Sequence, residues 1–362
     1  MSALDALLLG DPWQISAAAY PEAGSAEEKL AFLLNYAVLA PSVLNTQPWK
    51  FVVRDGAVEL HADRGRRLPI VDPDGRELLL SCGAALFNLC TAMRSFGHRA
   101  DVRIRPNEKD ADLLAVVTLE PAKTPSDLDR NLRDAIPKRR TVRRPFAERP
   151  LPEELLDELS EAAAREGADL SRAGDAHSKS QVAELVAEAE RLHLADGAYR
   201  NELSAWIQQR IGEARGHDNE AAVRLGLGGS TPDPRATAED LFVPLAASVA
   251  RTFTSAEAAA AHQQARTAGA PAVVLLTAPQ DSPRDWLAAG QALQRVLLTA
   301  TRAGVSSSYL NPPVEIPSLR RRVAVAFGRH DVPQVLLRLG YGPDVPPASR
   351  RPVTEVVTFA SS

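Results

Sequence analysis

Two stretches of this chain, Arg76 to Gly97 and Arg284 to Gly304, follow one plan, and that repetition limits the folds open to it more than any other feature. Each has apolar residues at helical spacing and an inner glycine, in Gly83-Ala84-Ala85-Leu86 and Gly290-Gln291-Ala292-Leu293. Each ends on a glycine at the same interval from the inner one, Gly97 and Gly304. The closing glycine reads as a C-cap, where a left-handed backbone carries no β-carbon penalty. A glycine inside a long buried helix marks the close approach of another helix. Each stretch also follows a strand-like segment, Val58-Glu59-Leu60-His61-Ala62 and Ala272-Val273-Val274-Leu275-Leu276. The identities alone could arise by chance between unrelated helices; the matching order of elements favours an internal duplication.

The plan extends upstream. Glu27 to Ala40 reads as an acid-started amphipathic helix, and Pro152-Glu153-Glu154-Leu155 opens another, with proline and acids where the helix dipole favours them. Each half then runs helix, strands, long helix, strands. The expected class is α+β, with a modest antiparallel-type sheet covered by helices. The expected division is 1–125 and 126–362, because Pro121, Pro125 and Pro137 punctuate a polar segment between the halves. An insertion at about 199–244 has no counterpart in the first half. It starts with helical residues (Trp206, Ile207, Ile211) and passes into Leu225-Gly226-Leu227-Gly228-Gly229-Ser230-Thr231-Pro232. That glycine run has no strand before it and no helix directly after it, so it is not a dinucleotide-binding turn. A long Gly/Pro-rich insertion is a cover over a site or a passive surface loop; a lid is the expectation, since a candidate site lies elsewhere in the chain.

Composition narrows the function. The chain has 362 residues, 45% hydrophobic and 24% charged, with a net charge of −4. That balance argues against a nucleic-acid or anionic-membrane partner. Cys82 and Cys90 sit in an apolar helical pattern without metal-ligand spacing and read as buried free thiols. The seven histidines form no Ser/His/Asp or zinc-type constellation; His177, His193, His217 and His262 read as surface residues. The first ten residues lack a basic segment followed by an apolar run, and no stretch of about 18 apolar residues occurs. A cytoplasmic protein is expected, and no catalytic side chain is singled out.

Two segments carry chemistry. The first is Ala40-Pro41-Ser42-Val43-Leu44-Asn45-Thr46-Gln47-Pro48-Trp49-Lys50-Phe51, between a helix and the strand-like Phe51-Val52-Val53. Ser42, Asn45 and Gln47 could offer donors and acceptors to the edge of one planar heterocycle. The same residues also suit a capped helix end and a proline-bounded loop. The second is Lys138-Arg139-Arg140-Thr141-Val142-Arg143-Arg144-Pro145-Phe146. Guanidinium forks match phosphate oxygens bidentately, and alternation would set Arg139, Thr141 and Arg143 on one side. A solvated basic linker explains the same composition.

Together these segments resemble the nitroreductase-like FMN proteins. The first is similar to that family's A-P-S-x-x-N-x-Q-P-W-x-F turn, which lies against the isoalloxazine ring; Pro41, Ser42, Asn45 and Gln47 are the matching positions. The second is similar to its R-R-S-x-R-x-F opening, which grips the FMN phosphate and reaches the pyrimidine edge, here through Arg139, Arg140, Thr141 and Arg143, with threonine for the commoner serine. Near the other end, Ser349-Arg350-Arg351-Pro352 matches the family's basic residue two before a proline, which places Arg350 on the phosphate. The loop Ser306-Ser307-Ser308-Tyr309-Leu310-Asn311 matches the one the family brings near the ring's N5 edge, implying Ser308 and Tyr309 there.

The halves are complementary: the first keeps the turn and has no arginine between Ser16 and Ala26, and the second keeps the arginines but has Arg165-Glu166-Gly167 where a turn would stand. Family dimers build each site from both subunits, so a fused, degenerate pair would keep one site. This resembles the double-length Acg branch, as do Asp72-Pro73-Asp74-Gly75-Arg76-Glu77 and Pro313-Val314-Glu315-Ile316-Pro317. The resemblance implies a nitroreductase-like fold with two related halves as a pseudo-dimer, one FMN per chain, and a monomer or loose homo-oligomer. It also implies an oxidoreductase acting on a small organic molecule with NAD(P)H as possible donor. Two alternatives stay open: a flavin-sequestering protein with a closed lid, and a specialised flavin oxidase or dehydrogenase of a biosynthetic pathway.

Overall fold

The computed structural model describes residues 4, 7–8, 11–107, 109–122, 124–216 and 255–360. The glycine-rich part of the expected lid, and His217, lie outside the described residues.

Helix α1 (Ala26–Ala37) begins in a reciprocal cap. The Glu28 amide donates to Ser25 Oγ at 3.2 Å, and the Ser25 amide donates to the Glu28 carboxylate at 2.8 Å. After the 41–48 turn, β1 (Trp49–Arg54) and β2 (Ala57–Ala62) form a hairpin across Asp55-Gly56, both left-handed as a two-residue turn requires. The long α2 (Arg76–Ser95) follows, then β3 (His98–Ile104), β4 (Leu113–Ala122) and α3 (Asp127–Ala135). The second half contributes α4 (Glu153–Ala164), β5 (Asp169–Arg172), α5 (Ala176–Ala195), α6 (Gly197–Gly216), α7 (Ala256–Ala268) and β6 (Ala272–Ala278). It continues with α8 (Pro283–Arg302), β7 (Ser306–Tyr309), α9 (Pro312–Glu315), α10 (Pro317–Ala326), β8 (Val332–Gly340) and β9 (Val357–Phe359). This is the expected α+β arrangement.

The described strands form two sheets, in the orders β3-β4-β2-β1-β9 and β5-β6-β8-β7. Neighbours are antiparallel except at one edge, where β9 lies parallel to β1 with Phe51 opposite Val357. The last strand of the second half therefore completes the first half's sheet. Val353 and Val356, just before it, are buried in the core with α1, α2 and Leu287 and Leu298 of α8. Removing such a surface from water stabilises roughly in proportion to area, about 25 cal/mol per Å².

The two sheets are joined through α2 and α8, which meet at their inner glycines. Gly83 faces the Leu287 carbonyl and the Gly290 backbone, while Gly290 faces Leu80. Helix α2 is long and apolar enough to cross a membrane by composition, an 18-residue window of it having mean hydropathy 1.3, but 94% of that window is buried inside the fold. Its length serves the core. Cys82 and Cys90 lie along it as buried free thiols, both pushed above the ordinary thiol range by burial. One histidine departs from expectation. His193 at the end of α5 is largely covered, its ring stacked on Tyr199 at 4.2 Å between centroids. The cause is tertiary: α6 leads straight off α5 and lays Tyr199 on the imidazole.

Candidate functional site

The turn between α1 and β1 has an unusual backbone. Leu44, Asn45 and Gln47 are all left-handed, with φ of 44°, 57° and 50°. For residues other than glycine this costs on the order of 1 kcal/mol or more each, so surrounding contacts must hold the conformation. Part of the hold is internal, as the Gln47 amide donates to Ser42 Oγ at 2.9 Å and Thr46 Oγ1 donates to the Val43 carbonyl at 2.9 Å. Ser81 of α2 accepts from the Val43 amide at 3.3 Å. Pro41, at the start of the turn, is buried.

The side chains of Asn45 and Gln47 reach the 349–351 arm. Asn45 Nδ2 donates to the Ser349 carbonyl at 2.9 Å, and its Oδ1 accepts from Arg350 at 3.1 Å. Gln47 Oε1 accepts the Arg351 amide at 2.8 Å. The two amides therefore clamp the arm to the turn, a use that the local sequence did not signal. Arg350 also donates to the Leu39 carbonyl at 3.2 Å, and its guanidinium lies over the ring of Trp13 at 5.1 Å. Arg140 lies over the same ring at 4.5 Å while donating to the Pro137 and Arg139 carbonyls. Trp13 is fixed through its indole N–H, which donates to the Ala348 carbonyl at 3.0 Å.

Arg139 is buried and donates to Thr141 Oγ1 at 3.3 Å. Thr141 forms an isolated bridge to Ser307, and the Val142 amide donates to the Ser307 carbonyl at 2.9 Å, so the 139–143 segment lies along β7. Ser308 is buried in that strand. Arg338 of β8 supports the segment from behind, donating to the carbonyls of Val142 and Arg144 at 3.2 and 3.1 Å. Gly340 and Gly342 lie so close to Phe146 and Val142 that a β-carbon would collide with them.

Electrostatics tie these groups together. Burial, then the neighbouring Arg139, Arg210 and Arg140, depress the Arg350 guanidinium well below its ordinary range, and burial also lowers Arg139. Burial pushes the Tyr309 phenol up to about 12, while Arg139, Arg143 and Arg350 pull the other way and Glu77 adds to the rise. Arginines 139, 143 and 350 and Tyr309 thus share one neighbourhood, although they come from three separated segments. The Nε–H groups of Arg139 and Arg350 are buried without a hydrogen-bond partner. A buried unmade bond to a charged group is costly, so an anion that met both donors and crowded charges would be strongly favoured.

Beneath lies a polar cluster that sequence reasoning missed. Asp72 accepts the first amides of α2, from Glu77 and Leu78, at 3.0 and 2.8 Å. Glu77 is buried, with Oε1 accepting from Asn311 at 2.8 Å and from Arg76 at 3.2 Å. Burial raises both carboxyls above their usual range. Two further residues come from α6. Trp206 Nε1 donates to the Leu44 carbonyl at 3.2 Å, and Arg210 donates to the Asn45 carbonyl and to Ser349 Oγ, both at 2.7 Å. Helix α6 therefore packs on the turn. Among the described residues no cluster of His, Cys, Asp and Glu could hold a metal ion.

The family model of the Nitroreductase family matches residues 136–341, and this chain belongs to that family. It is 33% identical over 337 residues to the Mycobacterium tuberculosis H37Rv protein named "Putative NAD(P)H nitroreductase Rv3131", a match covering 92% of each chain. It is 31% identical over 321 residues to that organism's "Putative NAD(P)H nitroreductase acg", covering 88% of this chain and 91% of the relative. Among solved structures it is similar to the FMN-dependent nitroreductase NfnB from Mycobacterium smegmatis in complex with NADPH, with 19% identity and a TM-score of 0.39, covering 65% of this chain and all of that one.

Proposed function

We propose that this chain is an FMN-dependent oxidoreductase of nitroreductase type, holding one flavin where the first half's turn meets the second half's arginines. In this reading it is a cytoplasmic pseudo-dimer, its two halves standing where a family dimer has two subunits. The observation that carries the reading is the pair of orphaned, buried Nε–H groups on Arg139 and Arg350. Family membership and the named flavin and NAD(P)H partners of its relatives support it.

The residues present fit such a cofactor. Arg139 and Arg350, with Arg140 and Thr141 beside them, would hold the phosphate. Arg143 would face the pyrimidine edge, where positive charge favours the anionic reduced ring. Pro41 and Ser42 would line the ring, Asn45 and Gln47 would hold the turn against the arm, and Ser308 and Tyr309 would approach from β7. The bound flavin supplies the redox chemistry; the protein supplies orientation, electrostatics and access.

A flavin-sequestering role is the second reading, favoured by the seating of α6 on the turn. Anaerobic mixing of the flavin-loaded protein with NADPH, NADH and dithionite, followed by flavin absorbance, separates the two. Bleaching by a nicotinamide is the expected result. Bleaching by dithionite alone would support sequestration and overturn NAD(P)H as donor.

A further inference from the structure

The carbonyl oxygens of residues 43 to 47 all accept hydrogen bonds from side chains. Val43 accepts from Thr46 Oγ1, Leu44 from the Trp206 indole, Asn45 from Arg210, Thr46 from the Arg66 guanidinium, and Gln47 from Arg351 at 3.4 Å. Three left-handed non-glycine residues lie in this run, and a strained conformation persists only where its surroundings over-determine it. Two of the outside donors, Trp206 and Arg210, belong to α6 and stand four residues apart, on one face. One turn earlier on that face, the Glu202 carboxylate accepts the amides of Ile70 and Val71, each at 2.9 Å. The stripe Glu202, Trp206, Arg210 therefore holds first-half backbone at three successive turns. Arg66 completes the join, its guanidinium 5.0 Å from the Trp206 ring centroid. The apolar faces of Leu203 and Ile207 pack beside it with Leu68, Val71, Val43 and Leu44.

We propose that this stripe makes Trp206 and Arg210 positioning residues of the flavin site: they set the turn's left-handed backbone before flavin arrives, and Glu202 anchors their helix on the 70–71 backbone. The inference rests on the reading of that site as a flavin site. It assigns α6 a fixed supporting role, in contrast with a cover that swings away. Arg210 acts through Asn45 and through Ser349, whose neighbour Arg350 carries an orphaned donor.

The test compares wild type with Trp206→Phe, which keeps the ring and loses the N–H, and with Arg210→Ala and Arg210→Lys. Flavin affinity is measured by fluorescence titration with FMN, and amide hydrogen exchange across 41–49 is measured in flavin-free protein. We expect Trp206→Phe and Arg210→Ala each to weaken FMN binding about ten-fold and to speed exchange in 41–49 about ten-fold, with exchange in α2 and α8 unchanged. Arg210→Lys, which restores one donor, should recover most of the loss. Unchanged exchange in 41–49 would overturn the proposal, as would acceleration spread through the whole fold or no rescue by lysine. A wild type that binds no FMN, but whose turn still loosens in the variants, would refute the flavin reading and leave the positioning role standing.

Discussion

Gly83 and Gly290 meet reciprocally. A β-carbon on Gly83 would lie 2.1 Å from the Leu287 carbonyl oxygen and 3.0 Å from the Gly290 Cα, and one on Gly290 would lie 2.1 Å from the Leu80 carbonyl oxygen. Leu80 precedes Gly83 by three residues, as Leu287 precedes Gly290. Each helix thus presents the same pair of positions to the other, the relation an isologous two-fold contact requires. A duplicated chain would place its two copies in this way, which supports the pseudo-dimer reading.

Two effects oppose each other when either glycine becomes alanine. Helix propensity favours alanine by about 1 kcal/mol. Overpacking costs about 1–3 kcal/mol, and here the collision is with backbone held in a helix, which cannot rotate away as a side chain can. Gly83→Ala and Gly290→Ala should each lower the urea midpoint, with a net loss of up to about 2 kcal/mol. A raised midpoint would show that the helices part easily and that the contact does not organise the fold.

Arg139→Ala and Arg350→Ala should each weaken FMN binding at least ten-fold, because a charge-assisted bond to phosphate is worth about 1.5–3 kcal/mol. Arg144→Ala should cost less, since alternation sends its side chain to the other side of the segment. Equal small losses at all three positions, read by flavin titration, would return the segment to the role of a charged linker.

One FMN per chain is expected in a monomer. In the second half, the position matching the ring-facing turn holds Glu166, paired with Arg295 at 2.6 Å, and the Arg295 guanidinium lies 4.9 Å from the Phe87 ring centroid. If the halves correspond as proposed, that ion pair stands where a second flavin site would need a turn. Flavin absorbance against protein mass, with light scattering, checks both numbers; two flavins per chain, or flavin bound only by a dimer, would contradict the assignment.

Alkaline pH should unfold the protein in a defined window. Burial raises Tyr36 and Tyr309, and the half-exposed Tyr20, to about 12, against about 10 in an unfolded chain. A raised folded pKa means that the unfolded state loses its proton first. The stability linked to these phenols is complete below pH 10 and is lost as pH rises from 10 towards 12. Melting temperature should fall across that interval, and tyrosinate absorbance should appear together with unfolding. Early tyrosinate signal from all three residues without unfolding would show that they are not held neutral by the fold.

Much of the local structure was legible in the residues. The 3.6-residue apolar period of Arg76–Ser95 and Pro283–Arg302, the inner glycines and the strand-like Phe51-Val52-Val53 and Val58-Glu59-Leu60-His61-Ala62 are short-range signals, set by backbone sterics and by which face must leave water. The chemistry of the arginines was legible too, since a guanidinium suits an anion wherever it stands. What tertiary structure alone decided was company. Whether Arg350 meets Asn45, whether Val357 pairs with Phe51, whether His193 is covered by Tyr199, and whether Trp206 and Arg210 grip a turn far earlier in the chain depend on how elements pack. Periodicity tells which face of a helix turns inward but not which element it will meet, because that partner is selected by shape and burial over the whole chain.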